Sequence, residues 1–334
     1  MSELKKEQFE HVMLQDYAQQ EMVANADSTM FKDAWHRFTK NRGALVGLIV
    51  ISIILILTII GPMISPHVYN VMVKTQTSLP PRIPFLENFG IFNGTINGSN
   101  PYVTKKATDV YYWFGTDTLG RDLWDRVWMG TRVSFYIAVV AVGIDVFIGI
   151  SYGLISGYFG GKVDLIMQRF IEILSGIPNL VVVTLFVLVL KPGMTSIILA
   201  LMITGWISMS RVVRSQVMKL KEHEFILAAR TLGASSFSII VKELLPNILG
   251  QIIVMTMFSI PNAIFYESFL SFVGLGLKPP LASLGVLISD GYRSMITNPY
   301  MVIFPVIVLS CLMLSFNLIA DGLRDAFDPK MKGF

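Results

Sequence analysis

The sequence contains a single cysteine, Cys311, set inside an apolar run. An internal disulfide and a cysteine-based metal site are therefore excluded. Histidine is scarce too, four in 334 residues, and no His/Asp/Glu cluster has metal-ligand spacing. Charge is thin: 15% of residues are Asp, Glu, Lys or Arg, where soluble domains carry about 25%. No basic cluster is interleaved with aromatics, which argues against a nucleic-acid partner. No G-x-x-x-x-G-K-[ST] occurs; YFGGKV, ending at Val163, lacks both the spacing and the hydroxyl, so the chain does not hold ATP through a P-loop. HEFIL opens like H-E-x-x-H but ends on Leu227, and no G-x-S-x-G is present. Nothing nominates a nucleophile together with a base, so the chain is not expected to be an enzyme on its own, and no cofactor is expected on it.

What is present is apolar: 53% hydrophobic residues and a mean hydropathy of +0.60. A helix needs about 20 apolar residues to cross a bilayer core of about 30 Å. Charge-free or nearly charge-free runs lie between Arg42 and His67, Arg132 and Lys162 (interrupted by Asp145), Glu172 and Lys191, Lys191 and Arg211, Glu243 and Glu267, and Arg293 and Asp321. These predict an all-α membrane protein with six spans, near 44–64, 134–156, 171–190, 195–212, 246–268 and 300–320. The first run follows a tail carrying Glu3, Glu7, Glu10, Asp16 and Glu21. That is unlike a signal peptide, so the run is expected to be kept as a span. An even number of spans puts both termini on one side. Fifteen Lys and Arg near the spans fall on that side against nine on the other, and cytoplasmic loops carry the excess of Lys and Arg. The expected organisation is a cytoplasmic tail 1–43, a first span 44–64, an extracellular loop or small cap 65–130, a core 131–320, and a cytoplasmic tail 321–334.

Within the spans, Gly149, Gly153 and Gly157 recur every four residues, a pattern that lets two helix backbones approach closely in lipid. Asp145 extends the same face. A carboxylate facing lipid is costly, so it should face the bundle or a water-filled cavity; it is a possible pathway residue or a paired group holding helices together. Pro178, Pro261 and Pro305 are expected to interrupt the third, fifth and sixth spans.

Between the fourth and fifth spans runs EFILAARTLGASSFSIIVKELLPN, residues 224–247. The small side chains of Ala228 and Ala229 leave a flat surface, Gly233 should turn the chain between two short helices, and Pro246 should open the next span near its first turn. The result is an L-shaped element over 222–240. This segment resembles the EAA motif of binding-protein-dependent ABC importer permeases, matching it at Ala228, Ala229, Gly233, Leu245 and Pro246. The motif's Glu position holds Leu227, and Glu224 is one helical turn earlier. FGTDTLGRDLWDRVWMGTRVSF (114–135), SGYFGGKVDLIMQRFIEILSGIP (156–178), YESFLSFVGLGLKPP (266–280) and NLIADGLRDAFDP (317–329) are similar to the dipeptide/oligopeptide permease group, in particular its C-type subunit.

The resemblance implies the type I ABC importer permease fold, with 222–240 as the coupling helix seated in an ATPase cleft. It implies a second homologous permease subunit, two cytoplasmic ABC ATPase subunits that hold ATP and Mg, an extracellular peptide-binding lipoprotein, and a bacterial plasma-membrane location. Residues 114–130 and 266–295 would meet the binding protein. Other readings of the same residues are a permease of the group for nickel or another small solute, and a stand-alone secondary transporter or channel.

Overall fold

The computed structural model describes residues 30–327 except residue 97. The expected tails therefore lie outside the described residues over 1–29 and 328–334. The elements are α1 (Met30–Lys40), α2 (Arg42–Ile64), α3 (Leu123–Phe159), α4 (Gly161–Ser175), α5 (Asn179–Leu190), α6 (Met194–Thr204), α7 (Trp206–Leu220), α8 (Glu224–Thr231), α9 (Ser236–Phe272), α10 (Leu284–Tyr292) and α11 (Tyr300–Phe327). Strand pairing among the described residues is limited to three isolated bridges in or beside the cap. With no water in a bilayer core, backbone groups must pair within their own segment, and long uncharged runs solve this by becoming helix.

Among the described residues, five helices are long and apolar enough to cross a membrane: α2, α3, the run Met194–Leu220 that joins α6 and α7, α9 and α11. The pass expected at 171–190 with an interruption at Pro178 starts earlier, at Gly161, and is broken. It is α4 plus α5, bent by 76°. Gly176-Ile177-Pro178 lies at the bend: Pro178 has no amide proton to donate, and a residue before proline is pushed out of the α region. Pro261 and Pro305, by contrast, sit buried inside the unbroken helices α9 and α11. The passes alternate in direction. One end of the bundle therefore holds α1, α8 and the end of α11; the other holds residues 65–122 and α10.

α3 begins at Leu123, about two turns before the expected core boundary at 131. Asp122 caps it, accepting from the Trp124 amide at 2.8 Å. The charges that suggest a later start are inside protein, with Asp125 and Arg126 both buried. Arg126 lies 3.5 Å from Asp117 and 3.7 Å from Asp290, so one guanidinium ties the cap and α10 to α3. Asp117 also organises the turn before α3, accepting from the amides of Leu119 and Arg121 and from Arg121 Nε at 2.6 Å. Gly120 crosses this turn at φ +77°, where an added Cβ would collide with the Val73 carbonyl.

The cap, 65–122, has its own small core of Leu79, Tyr102, Ala107 and Tyr112. Arg82 lies over the rings of Tyr102 and Tyr111 and bonds Glu87 at 2.8 Å. That bond, with a second from the Tyr111 hydroxyl, holds the Glu87 carboxyl below its ordinary pKa. The cap is fastened to the bundle by the Tyr300 hydroxyl, which donates to the Thr116 carbonyl, and beside it Trp124 Nε1 of α3 donates to the Gly61 carbonyl of α2.

The three spaced glycines lie on the α3 face that meets α7. A Cβ at Gly149 would come 2.7 Å from Met209 Cβ, one at Gly153 2.6 Å from the Ser210 carbonyl oxygen, and one at Gly157 2.8 Å from Val217 Cβ. Backbone therefore packs on backbone along this crossing. At its α8 end Asp164 of α4 receives both Arg214 Nε and Nη2 at 2.5 Å, and Ser156 Oγ at 2.5 Å. α3, α4 and α7 are thereby joined where the α8 corner begins.

The spacing of charges makes Glu267 the end of the fifth span. Instead it is wholly buried within α9. Ser134 Oγ of α3 donates to it at 2.7 Å and Ser271 Oγ at 2.8 Å, while Ser134 Oγ accepts from the Leu284 amide that opens α10. Beside this cluster the α10 backbone lies directly on α9: a Cβ at Gly285 would come 2.4 Å from Ser268 Cα. Removing the carboxyl strands buried hydroxyls, which costs about 1–3 kcal/mol. Glu267→Leu should therefore lower the thermal unfolding midpoint of the detergent-solubilised chain, and Glu267→Gln should keep most of it. Equal midpoints for the two variants would count against this role.

Candidate functional site

The corner at 221–240 is built by local rules. α8 ends in a paired C-cap: the Ala234 amide donates to the Ala229 carbonyl and the Gly233 amide to the Arg230 carbonyl, each at 3.0 Å. This arrangement needs a residue in the left-handed region, and Gly233 supplies it at φ +82°. Ser235 then caps α9, accepting from the Ser238 amide. Ile226 is fully buried with Val213, Val217 and Ile239, so the same core that runs between α3 and α7 anchors α8. Arg230 lies over the Tyr158 ring at 5.8 Å.

The opposite face of α8 is open. Glu224, Leu227 and Ala228 are exposed and Ala229 is half-buried. Beyond the turn, Leu232 is 87% exposed and Phe237 77% exposed. Large apolar side chains gathered on a helix corner mark a surface that a partner covers. Leu227, at the position where the motif has Glu, borders a shallow cavity of about 370 Å³ with Tyr158, Lys221, Glu222 and Arg230.

Leu245 and Pro246 are not at the corner. α9 does not start at Pro246, as expected, but ten residues earlier at Ser236, and Ile239–Leu244 is a wide π turn. The Leu245 amide donates to the Ile240 carbonyl, five residues back. Proline inside a helix removes one bond and crowds the carbonyl four residues before it; the widened turn lets the helix pass through Pro246. Asn247 Nδ2 meanwhile donates to the Glu243 carbonyl at 2.6 Å.

Past that turn, α9 carries a feature that counting spans between charges overlooks. Asn247, Gln251, Asn262 and Tyr266 are exposed along one side, while Ile248, Ile252, Ile260 and Ile264 are buried on the other. Its signal in the sequence is two pairs of polar residues, each four apart and eleven residues from each other, within an apolar run. Two cavities follow this stripe. One, of about 600 Å³, lies toward the α8 end beside Gln216, Asn247, Gln251 and Arg324. The other, of about 430 Å³, lies deeper, beside Asp145, Asn179, Thr204, Ser208, Asn262 and Tyr266. Met255 and Phe258 line both and stand between them. Asp145 thus lies at the deeper cavity, set against Gly205 at the α6–α7 joint, where an added Cβ would come 1.9 Å from Asp145 Oδ2. Among the described residues, no group of His, Cys, Asp and Glu side chains could hold a metal ion.

Comparison with known proteins fits this architecture. The family model described as "Binding-protein-dependent transport system inner membrane component" matches residues 149–333, and that described as "N-terminal TM domain of oligopeptide transport permease C" matches 29–81. The chain is 45% identical over 325 residues to the dipeptide transport system permease protein DppC of Lactococcus lactis subsp. cremoris, covering 93% of each. It is 42% identical to DppC of Bacillus subtilis, covering 90% of this chain and 86% of that one. It is 40% identical to the oligopeptide transport system permease protein OppC of Bacillus subtilis, covering 93% of each. Among solved structures, a chain of the MetNI methionine ABC transporter in inward-facing conformations is similar in fold. Its TM-score is 0.50 at 18% identity, over 60% of this chain and 96% of that one. With its multi-pass helical bundle and the type I ABC importer permease fold, the chain belongs to the dipeptide and oligopeptide permeases of the binding-protein-dependent ABC importers, as a C-type subunit.

Proposed function

We propose that this chain forms one half of the translocation pathway of an ATP-driven importer of di- and oligopeptides, and that the α8 corner receives the movement of a partner ATPase. The observation that carries this reading is the polar stripe of α9 with its two cavities. Polar side chains turned to lipid are costly, so Asn247, Gln251, Asn262 and Tyr266 must face water and a second permease subunit that closes the open side. The peptide substrate is supported by the relatives' names; these relatives lend nothing to the nickel or stand-alone readings. ATP and Mg belong to partner ATPases, since the sequence has no P-loop, and an extracellular peptide-binding lipoprotein would deliver the cargo. Closure of the ATPase dimer would draw the two permeases' corners together and switch access by rigid-body rotation.

Two measurements test this. In a Cys311→Ser background, cysteines placed at 251 and 262 should react with a membrane-impermeant thiol reagent in the assembled transporter, and one at Ile60, on the exposed outer face of α2, should not. Shielding at 251 and 262 would overturn the pathway reading. The charge distribution puts both termini in the cytoplasm. A reporter fused after Phe334 should therefore be active only inside the cell, and activity only outside would invert the topology.

A further inference from the structure

Asp145 is 9% exposed, and its Oδ1 has no hydrogen-bond partner. It borders the deeper cavity, whose other polar lining is Asn179, Thr204, Ser208, Ser259, Asn262 and Tyr266. All of these are uncharged. No Lys, Arg or His lines the cavity, and among the described residues no ion pair engages Asp145. A carboxylate taken out of water is expensive unless a cation answers it. In this chain the nearest elements supply none. α6 and α7 meet Asp145 at Gly205, a residue without a side chain, so the carboxyl packs against bare backbone and their joint offers it no charged partner.

We propose that Asp145 is the subsite for the α-ammonium group of a peptide in transit. This rests on the pathway reading above and goes beyond it, because it assigns a chemical group of the cargo to one residue. A zwitterionic peptide carries one unfailing cation at its N-terminus, whatever its side chains. The cavity of about 430 Å³ is in the range of small-ligand pockets. Its amides and hydroxyls can pair with peptide backbone groups without regard to sequence. A single fixed carboxylate with neutral polar walls selects for the terminus and tolerates varied side chains.

The test uses the transporter purified with its partner permease and ATPases, without the binding protein, so that delivery does not impose its own preference. Binding of Ala-Ala and of N-acetyl-Ala-Ala is measured for wild type, Asp145→Asn and Gly205→Ala. Wild type should bind the free amine about 10-fold more tightly, the contribution of one charge-assisted hydrogen bond. Asp145→Asn should bring the two peptides to within about 2-fold while leaving the acetylated one unchanged. Gly205→Ala, which pushes the carboxyl aside, should shrink the preference as well. Equal binding of both peptides by wild type, or a preference that survives in Asp145→Asn, overturns the subsite. Equal weakening of both peptides in the variant assigns Asp145 to helix packing and also overturns it. If wild type binds neither peptide, the peptide pathway itself fails, an outcome distinct from the others.

Discussion

Ala228→Trp is expected to abolish ATP-driven peptide uptake, by about 100-fold or more, equivalent to about 2.7 kcal/mol of lost coupling, while the protein still inserts and folds. Ala228 sits in the middle of the exposed face of α8, between Leu227 and the half-buried Ala229. A tryptophan there points away from the bundle, so nothing in the chain itself resists it, and Ile226 still pins the helix to the core from the other side. On the proposed function, what it obstructs is the docking of the partner ATPase on this face. Gly233→Pro should have the same consequence by another route. Proline fixes φ near −65°, whereas Gly233 stands at +82° and donates its amide to the Arg230 carbonyl. The corner would lose both its bond and its turn, and with them the placement of the exposed Leu232 and Phe237. Uptake of a labelled dipeptide into vesicles, measured beside membrane insertion and thermal stability, separates coupling from folding. Normal uptake in either variant would remove the corner from the mechanism. Loss of insertion would show that the corner serves folding instead.

Both residues are legible in the sequence because their constraints are local: small side chains at fixed spacing, a left-handed C-cap and a serine N-cap lie within a dozen residues. The passes are legible for a similar reason, since bilayer thickness sets the length of each run. The departures share one physical origin. Counting between charges treats every acid or base as a boundary with water, and whether that is so depends on residues far away along the chain. Glu267 is enclosed by Ser134, 133 positions distant, and Ser271. Asp125 and Arg126 are enclosed by the cap and α10. Proline divides in the same way: Pro178 interrupts its pass as expected, and Pro261 and Pro305 do not. Pro178 breaks its pass beside an exposed Gly176 and Ile177, while Pro261 is itself buried inside a helix that runs on unbroken. Pro246 is absorbed by a widened turn that no local rule announces. The cavity beside Asp145 needs α3, α5, α6, α7 and α9 at once, so spacing nominates the carboxylate but not the space it faces.

The crossing of α3 and α7 connects that cavity to the corner, and Gly153→Leu tests it. A Cβ at this position would stand 2.6 Å from the Ser210 carbonyl oxygen and 2.7 Å from Val213 Cβ. The first obstacle is backbone, so no rotamer change relieves it; the helices must part. Gly153→Ala should cost about 1–3 kcal/mol, the usual penalty of overpacking. Leucine should cost more, and little folded protein should be recovered from the membrane. The control is Gly143→Leu on the same helix, where an added Cβ meets nothing within 4 Å. It carries the same gain in helix propensity and the same added bulk, so equal yields of the two leucine variants would refute the packing role. Where Gly153→Ala folds, its defect should reach beyond stability. α7 starts directly after Gly205, which lies against Asp145, and carries Val213 and Val217, which hold Ile226 of α8, toward its other end. Moving α7 outward by even a few tenths of an ångström would displace the cavity wall and the corner together. Peptide uptake per ATP hydrolysed should fall in that variant while ATP hydrolysis persists, because the lever is attached to a wall that no longer seats. Unchanged uptake per ATP in folded Gly153→Ala would show that the corner and the cavity communicate through another helix pair.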